Sequence, residues 1–271
     1  MRIHVSNCDV DYHAGCAAVA QSIRTILETG GFSVGVMARH VPLDALSPGD
    51  LLLCNGEGTM HGNQRRAHLL LNELQAARRL GCRVHLINSV WQNMTSEAGR
   101  QLSVLDGVTV REPLSRMEMQ GFCDPQVCPD LAYYCPLRVT TGIDYAGEPL
   151  VGDFFFDRHA EVLPGYPRLS LTAADWSQLV ASIGTASVYV TGRHHGVYAA
   201  CRARTPFVFH RANTHKVIGL IAWSGVPLPV CPDLAGLADV VNWALRHRSV
   251  YERFFDWLDQ RRPWTPDALG S

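Results

Sequence analysis

Short apolar runs alternate along the chain with longer segments whose apolar residues recur at helical spacing. Residues 2–6 (RIHVS) read as a first strand. A loop through Asp11 and Gly15 then feeds an Ala-rich helix from about Cys16 to Thr29, closed by Gly30-Gly31. Strands follow at Phe32–Met37 and Asp50–Cys54, and the apolar run LLLC of the second predicts burial on both faces. His61 to Leu80 has the spacing of a helix, with Leu69, Leu70, Leu71, Leu74 and Ala77 as its apolar positions. Strands at Arg83–Asn88 and Gly107–Val110 come next, with a helix from Pro113. The segment 135–149 mixes Pro, Gly and Thr without a period and reads as a connection. The rhythm then restarts: strand 150–156, helix Ala173–Ile183, strand Ser187–Thr191, helix from Gly196, strand Pro206–Phe209 and one long amphipathic helix over about Leu234–Asp259. Strand–helix–strand order at this spacing predicts an α/β fold of parallel sheets with helices on both faces. The favoured arrangement is two Rossmann-like halves facing a cleft, residues 1–140 and 141–271, with ligands at the carboxyl ends of the strands. A single large α/β domain is the alternative.

Composition narrows the class. Of 271 residues, 47% are hydrophobic and 18% charged, which excludes a disordered chain. Lys and Arg number 24 against 25 Asp and Glu, so no overall field favours nucleic acid. The N-terminus has no apolar stretch of signal-peptide length, and no apolar run is long enough to span a bilayer. None of the nine cysteines forms a C-x-x-C pair, and Cys123, Cys128 and Cys135 are too widely spaced for the usual zinc pattern. Reduced, buried cysteines in a cytoplasmic protein without a metal or other cofactor are therefore expected. Histidine stands out with 12 copies. The aromatic C-terminal helix (Trp243, Phe254, Phe255, Trp257) is apolar enough to cover the other half or a second subunit of a homo-oligomer.

Candidate chemistry lies directly after predicted strands. Asn55-Gly56-Glu57-Gly58-Thr59-Met60-His61 joins a buried strand to a helix. Its glycines allow close backbone approach to a ligand, and Glu57 or His61 is a candidate base; the plain alternative is a tight turn. Arg111 ends a strand and is suited to a carboxylate or phosphate, whereas Glu112 reads equally as the cap of a helix with Pro113 at its first position. Thr191-Gly192-Arg193-His194-His195-Gly196 runs into a small-residue helix. Arg193 is suited to hold an anion at that helix start, and His195 to transfer a proton near neutral pH. Asn213-Thr214-His215-Lys216 enters another helix, with Lys216 either a further cation for phosphate or a solvated side chain. Trp91 and Gln92, at a strand end, could line an acceptor groove or pack inside.

NGEGTMH at 55–61, INSVWQ at 87–92, VREPLS at 110–115, PDLAYY at 129–134, TGRHHGVYAA at 191–200 and TPF…NTHKVIGLI at 205–221 resemble, in that order, the polysaccharide pyruvyl transferases. TGRHHG is similar to the family's R-x-H-G, whereas SNCDVDYHAGCAA stands where members carry N-x-G-D. The resemblance implies a fold like that of GT-B glycosyltransferases, with phosphoenolpyruvate as donor and a pyruvate ketal on a surface glycan or its precursor as product. Arg193 and His195 match the family's Arg and His, and Arg111 the arginine at the end of its central strand. For a donor with a carboxylate and a phosphate, Arg193, Arg111, Lys216, His194 and Asn213 are the candidate binding residues, with His195 as general acid and Glu57 or His61 as base. Asn55, Gly56, Trp91 and Gln92 would face a saccharide acceptor. Two other readings stay open on the sequence: a glycosyltransferase using a sugar nucleotide, and a non-catalytic glycan- or anion-binding module.

Overall fold

The computed structural model describes residues 1–154 and 165–266. It comprises two compact units: one from residues 1–9, 19–131 and the described tail from Arg262, the other from residues 10–18 and 132–261. No single cut near residue 140 separates them. Helix α1 (Ala14–Thr29) gives its first turn to the second unit and its remainder to the first.

The first unit holds six parallel strands: β1 (Ile3–Ser6), β2 (Val34–Met37), β3 (Leu51–Glu57), β4 (Arg83–Ser89), β5 (Gly107–Val110) and β6 (Gln126–Val127). Their order is β2-β1-β3-β4-β5-β6, so the connection direction reverses between β1 and β3. In open α/β sheets that switch point opens a crevice at the carboxyl ends of the strands. The run Leu51–Cys54 is fully buried, as its unbroken apolar character predicts. Helix α2 (Arg65–Arg79) buries Ala67, Leu70, Leu71, Leu74 and Ala77 in a core that includes Leu52, Cys54, Val84 and Leu86. Helices α3 (Ser96–Leu102) and α4 (Pro113–Glu118) complete the unit.

The second unit holds four parallel strands in the order β10-β9-β8-β7: β7 (Leu150–Val151), β8 (Tyr189–Thr191), β9 (Phe207–His210) and β10 (Val230–Cys231). With them go helices α5 (Trp176–Ile183), α6 (His194–Ala203), α7 (Lys216–Ser224), α8 (Leu237–Arg246) and α9 (Arg248–Asp259). All nine cysteines are thiols, and all but Cys123 are buried. Among the described residues no helix is long and apolar enough to cross a membrane.

Several boundaries differ from the sequence expectation for identifiable reasons. Strand β3 runs through Asn55, Gly56 and Glu57 instead of ending at Cys54, because Asn55 and Glu57 keep register with Ile87 and Ser89 of β4. Helix α2 begins at Arg65 and not at His61: Gly62 and Asn63 take positive φ of 59° and 52°, and the Gly62 N–H donates to the Gln92 carbonyl at 2.8 Å. Helix α6 begins at His194, two residues before Gly196. The expected single helix over 234–259 is broken at His247, which leaves helical geometry (φ −116°, ψ 38°) and stacks its ring on Trp243. The aromatic face of α9 is used within its own unit: Phe254 and Phe255 are buried, and Phe254 meets Phe207 edge-on at 5.8 Å. The strand expected over 150–156 is observed as β7, and its last two residues lie outside the described residues.

Candidate functional site

In the first unit, a connected set of polar side chains occupies the strand ends at the β1/β3 switch point. Asn7, directly after β1, donates from Nδ2 to the Asn55 carbonyl at 2.6 Å. Asn55 in turn donates to the Asn7 carbonyl at 3.3 Å and to Glu57 Oε1 at 3.0 Å. Asn88 donates to Asn55 Oδ1 at 3.1 Å and accepts from the Leu131 N–H at 3.1 Å. Arg66 of α2 donates to Asn7 Oδ1 at 2.8 Å. Asn7, Glu57 and Asn88 all adopt positive φ, of 59°, 43° and 54°. Asn tolerates this region, but Glu does not, so Glu57 is held in a conformation costing about 1–3 kcal/mol. Strain of this kind is common where function needs a particular side-chain position; here the strained residue carries a carboxylate that accepts from the Asn55 amide. Burial pushes the neighbouring Cys8 thiol up to about 12, with the Glu57 charge adding to the effect, so Cys8 stays protonated.

Three residues assigned to ligand binding serve the fold of this unit instead. Arg111 is buried with Asp130: Nη1 lies 2.9 Å from Asp130 Oδ2, and Nε donates to the Asn88 carbonyl at 2.8 Å. Its charge is matched internally, which removes it from the donor-binding set, although Nη2 has no partner among the described residues. Trp91 is 2% exposed, and its ring belongs to the hydrophobic core, so it presents no face to a sugar. Gly56 answers a packing need, because a Cβ there would fall 3.0 Å from the Ser89 Cα and closer still to the Ser89 side chain. Glu112 is the cap of α4, accepting from the Leu114 N–H at 2.7 Å with Pro113 at the first helical position. His61 and Gln92, by contrast, are brought together, as a parallel bridge joins their two loops. Gln64 Nε2 lies 3.0 Å from His61 Nε2.

In the second unit, the Arg193–Gly196 segment is fixed by its neighbours. The Arg193 N–H donates to Thr191 Oγ1 at 3.0 Å, and that hydroxyl donates to the Asp153 carbonyl at 2.9 Å. The Asp153 carboxylate accepts from the Leu171 N–H at 2.7 Å and from the Ser170 hydroxyl at 3.0 Å. Gly196 is required by close packing: a Cβ there would lie 2.6 Å from Thr191 Oγ1. Arg193 becomes the N-cap of α6, and His194 and His195 form its first turn with no acidic residue among them. Both imidazoles are buried, that of His194 edge-on to Tyr198 at 4.9 Å and that of His195 edge-on to His13 at 5.1 Å. Beneath the His195 ring lies Gly15 of α1, where a Cβ would come within 2.5 Å of Nδ1.

Lys216, the first residue of α7, is 8% exposed and donates from Nζ to Asn213 Oδ1 at 3.0 Å. Since β8 and β9 are paired neighbours, with Thr191 opposite Phe209, the α6 and α7 starts follow the carboxyl ends of adjacent strands. The first turn of α7 also lacks acidic residues. Two helix starts free of acidic side chains, one carrying Arg193 and the other Lys216, are suited to a multiply charged anion.

A family model for polysaccharide pyruvyl transferases matches residues 13–210. The chain belongs to that family. The matched span takes in the strained Glu57 and the Arg193–Gly196 turn, and the family is one of transferases that modify polysaccharides. Solved structures agree on the fold. A functionally uncharacterised protein from Klebsiella pneumoniae subsp. pneumoniae NTUH-K2044 is similar at a TM-score of 0.60 and 14% identity, over 83% of this chain and 89% of that one. The spinosyn rhamnosyltransferase SpnG complexed with spinosyn aglycone is similar at a TM-score of 0.58 and 12% identity, over 99% of this chain and 98% of that one. Its complex with thymidine diphosphate is similar at a TM-score of 0.57 and 12% identity over the same shares, 99% and 98%. These likenesses are of fold alone: the chain is an α/β protein of parallel sheets and helices whose structural neighbours are GT-B glycosyltransferases. No curated protein sequence matches it significantly.

Sequence reasoning did not single out Asn7, Arg66, Asn88, Asp130, Asp153, His13 or Cys16. Asn7 and Asn88 carried a readable signal, a lone Asn at the end of an apolar run. His13 and Cys16 are separated by i,i+3 spacing at a helix start, but their proximity to His195 is a tertiary fact.

Proposed function

We propose that the protein transfers the pyruvyl group of phosphoenolpyruvate to two hydroxyls of a saccharide, forming a cyclic ketal and releasing phosphate. Family membership supports the reaction class. The observation that carries the donor assignment is the helix start where Arg193 caps α6 and His195 is fixed beside it. Phosphoenolpyruvate has a carboxylate and a phosphate, and Arg193, with Lys216 and Asn213 at the neighbouring strand end, supplies cationic and polar groups for them. His194 packs on Tyr198 and offers the same anion a second imidazole.

The reaction begins with a proton from His195 to the methylene carbon, which becomes a methyl and leaves an oxocarbenium-like centre at C2. A sugar hydroxyl attacks C2 and loses its proton to a base. The C2–O bond to phosphate then breaks, and a second hydroxyl closes the ketal as its proton leaves with phosphate or returns to His195. In the first unit Glu57, oriented by Asn55, is the carboxylate suited to accept the hydroxyl proton, with His61 as the alternative and Gln92 as a polar contact for the acceptor. No metal or other cofactor enters this scheme. A phosphoenolpyruvate-dependent step also fits the cytoplasmic location that the cysteine usage favours.

Thermal unfolding in the presence of phosphoenolpyruvate, thymidine diphosphate and uridine diphosphate tests the donor. At 100-fold excess over its dissociation constant the true donor adds about 2.7 kcal/mol of stability. Stabilisation by phosphoenolpyruvate that is lost in Arg193→Ala is expected. Stabilisation by a nucleotide and none by phosphoenolpyruvate would overturn the assignment in favour of a nucleotide-sugar transferase.

A further inference from the structure

We propose that His13, Cys16 and His195 form a three-ligand site for a borderline-soft divalent cation, Zn²⁺, with an open fourth position. One ligand atom from each residue lies within 4.8 Å of the others, and the set is formed within the second unit alone. The spacing fits the ion. Zinc bonds of about 2.3 Å to sulfur and 2.0–2.1 Å to nitrogen at the tetrahedral angle put S and N about 3.6 Å apart. His13 Nε2 and Cys16 Sγ stand 3.7 Å apart. At the same angle two nitrogens on zinc stand about 3.4 Å apart, so closing the widest separation, which reaches 4.8 Å, takes roughly 1.4 Å of side-chain movement.

The start of α1 places two of the three ligands together. His13 precedes α1 and Cys16 is the third residue of its first turn, so the i,i+3 spacing puts both on one side of the helix start. A helix N-terminus stabilises the thiolate, the form of cysteine that binds metal. His13 Nδ1 accepts from the Cys16 N–H at 3.3 Å, and coordination through Nε2 would place the ring proton on Nδ1 and end that contact. The Cys16 N–H is not orphaned, because it also donates to the His13 carbonyl at 3.0 Å. Gly15 lets the third ligand approach, since any side chain there would displace the His195 ring. Two imidazoles and one thiolate select zinc over magnesium or calcium, which take oxygen ligands. Three protein ligands leave one coordination position for water or an anion oxygen.

A consequence rests on the proposed function: a metal on His195 occupies the imidazole assigned to proton transfer, so Zn²⁺ inhibits turnover and a chelator restores it. The binding claim is tested without activity. The full chain, reduced with a non-chelating phosphine and stripped with EDTA and desalted, is titrated with Co²⁺ and followed by absorbance, then back-titrated with Zn²⁺. One equivalent is expected to give a thiolate-to-cobalt charge-transfer band and intense tetrahedral d–d bands, both bleached by Zn²⁺. Cys16→Ser is expected to lose the charge-transfer band. His13→Gln is expected to weaken Zn²⁺ binding at least ~10-fold, the lower end of what even an outer-shell change costs. Absence of the bands in the wild-type chain overturns the proposal whatever the variants do, as does a band that survives unchanged in Cys16→Ser. Cobalt binding in a chain that never turns over phosphoenolpyruvate would refute the proposed function and leave the metal site standing.

Discussion

Gly15→Ala sets two effects against each other, and the geometry decides between them. Gly15 is the second residue of α1, where alanine is ordinarily favoured over glycine by roughly 0.5–1 kcal/mol. A Cβ at this position would lie 2.5 Å from His195 Nδ1 and against the adjoining ring carbons. Comfortable contact requires about 3.5 Å, so the buried ring must retreat by about 1 Å. Overpacking of this kind costs about 1–3 kcal/mol, which exceeds the helix gain. The net expectation is a loss of roughly 1–2 kcal/mol in unfolding free energy. The functional effect is larger, because a 1 Å misplacement of a reacting group costs about 10²-fold in rate. Equilibrium urea unfolding and a phosphate-release assay with phosphoenolpyruvate and an acceptor read the two quantities on one preparation. A Gly15→Ala protein at least as stable as the wild type, with turnover within twofold, would refute the placement of His195 against α1.

Three further outcomes follow from the structure. Burial lowers His85 from 6.5 to about 4, so the folded state holds this ring neutral. Its contribution is complete above pH 6.5 and is lost at up to ~1.36 kcal/mol per unit as pH falls to about 4, some 3 kcal/mol in all. Urea unfolding across that window should show the slope in wild type and a shallower one in His85→Leu. Asp130→Ala, which leaves Arg111 buried without its carboxylate, should cost about 3–5 kcal/mol, and pairing it with Arg111→Met should restore most of that stability in the same assay. Glu57→Gln keeps an acceptor for the Asn55 amide but removes the carboxylate proposed as the base, so steady-state kinetics should show kcat lowered by about 10²–10⁴ with unfolding unchanged.

The parallel α/β class was legible because its carriers are local: the buried run Leu51–Cys54, the helical spacing of Leu70, Leu71 and Leu74, and the Glu112-Pro113 cap. Element starts were less legible where polar residues interrupt the apolar period. His194 and His195 are helical but read as loop, and Asn55 to Glu57 are strand but read as turn. The stacking of His247 on Trp243, which goes with the break between α8 and α9, leaves the apolar period intact and so is invisible to it. The roles of Arg111 and Trp91 depended on partners distant in sequence: Asp130 for one and the helix-covered core for the other. Glycine carried the most ambiguous signal. Gly56 and Gly196 look alike as strand-to-helix punctuation with Gly15 at a helix start, yet each answers a particular neighbour: Ser89, Thr191 and His195.

Proton transfer from His195 to phosphoenolpyruvate beside Arg193 is the step on which the proposed reaction turns. Its most direct measurement is phosphate release from phosphoenolpyruvate in deuterated water against a panel of saccharides, with mass analysis of the ketal methyl, for wild type and His195→Ala. Acceptor-dependent release, deuterium in the methyl group, and a loss of about 10²–10⁴ in rate for the variant while it stays folded are expected. A folded His195→Ala protein that forms the ketal at the wild-type rate would contradict that step.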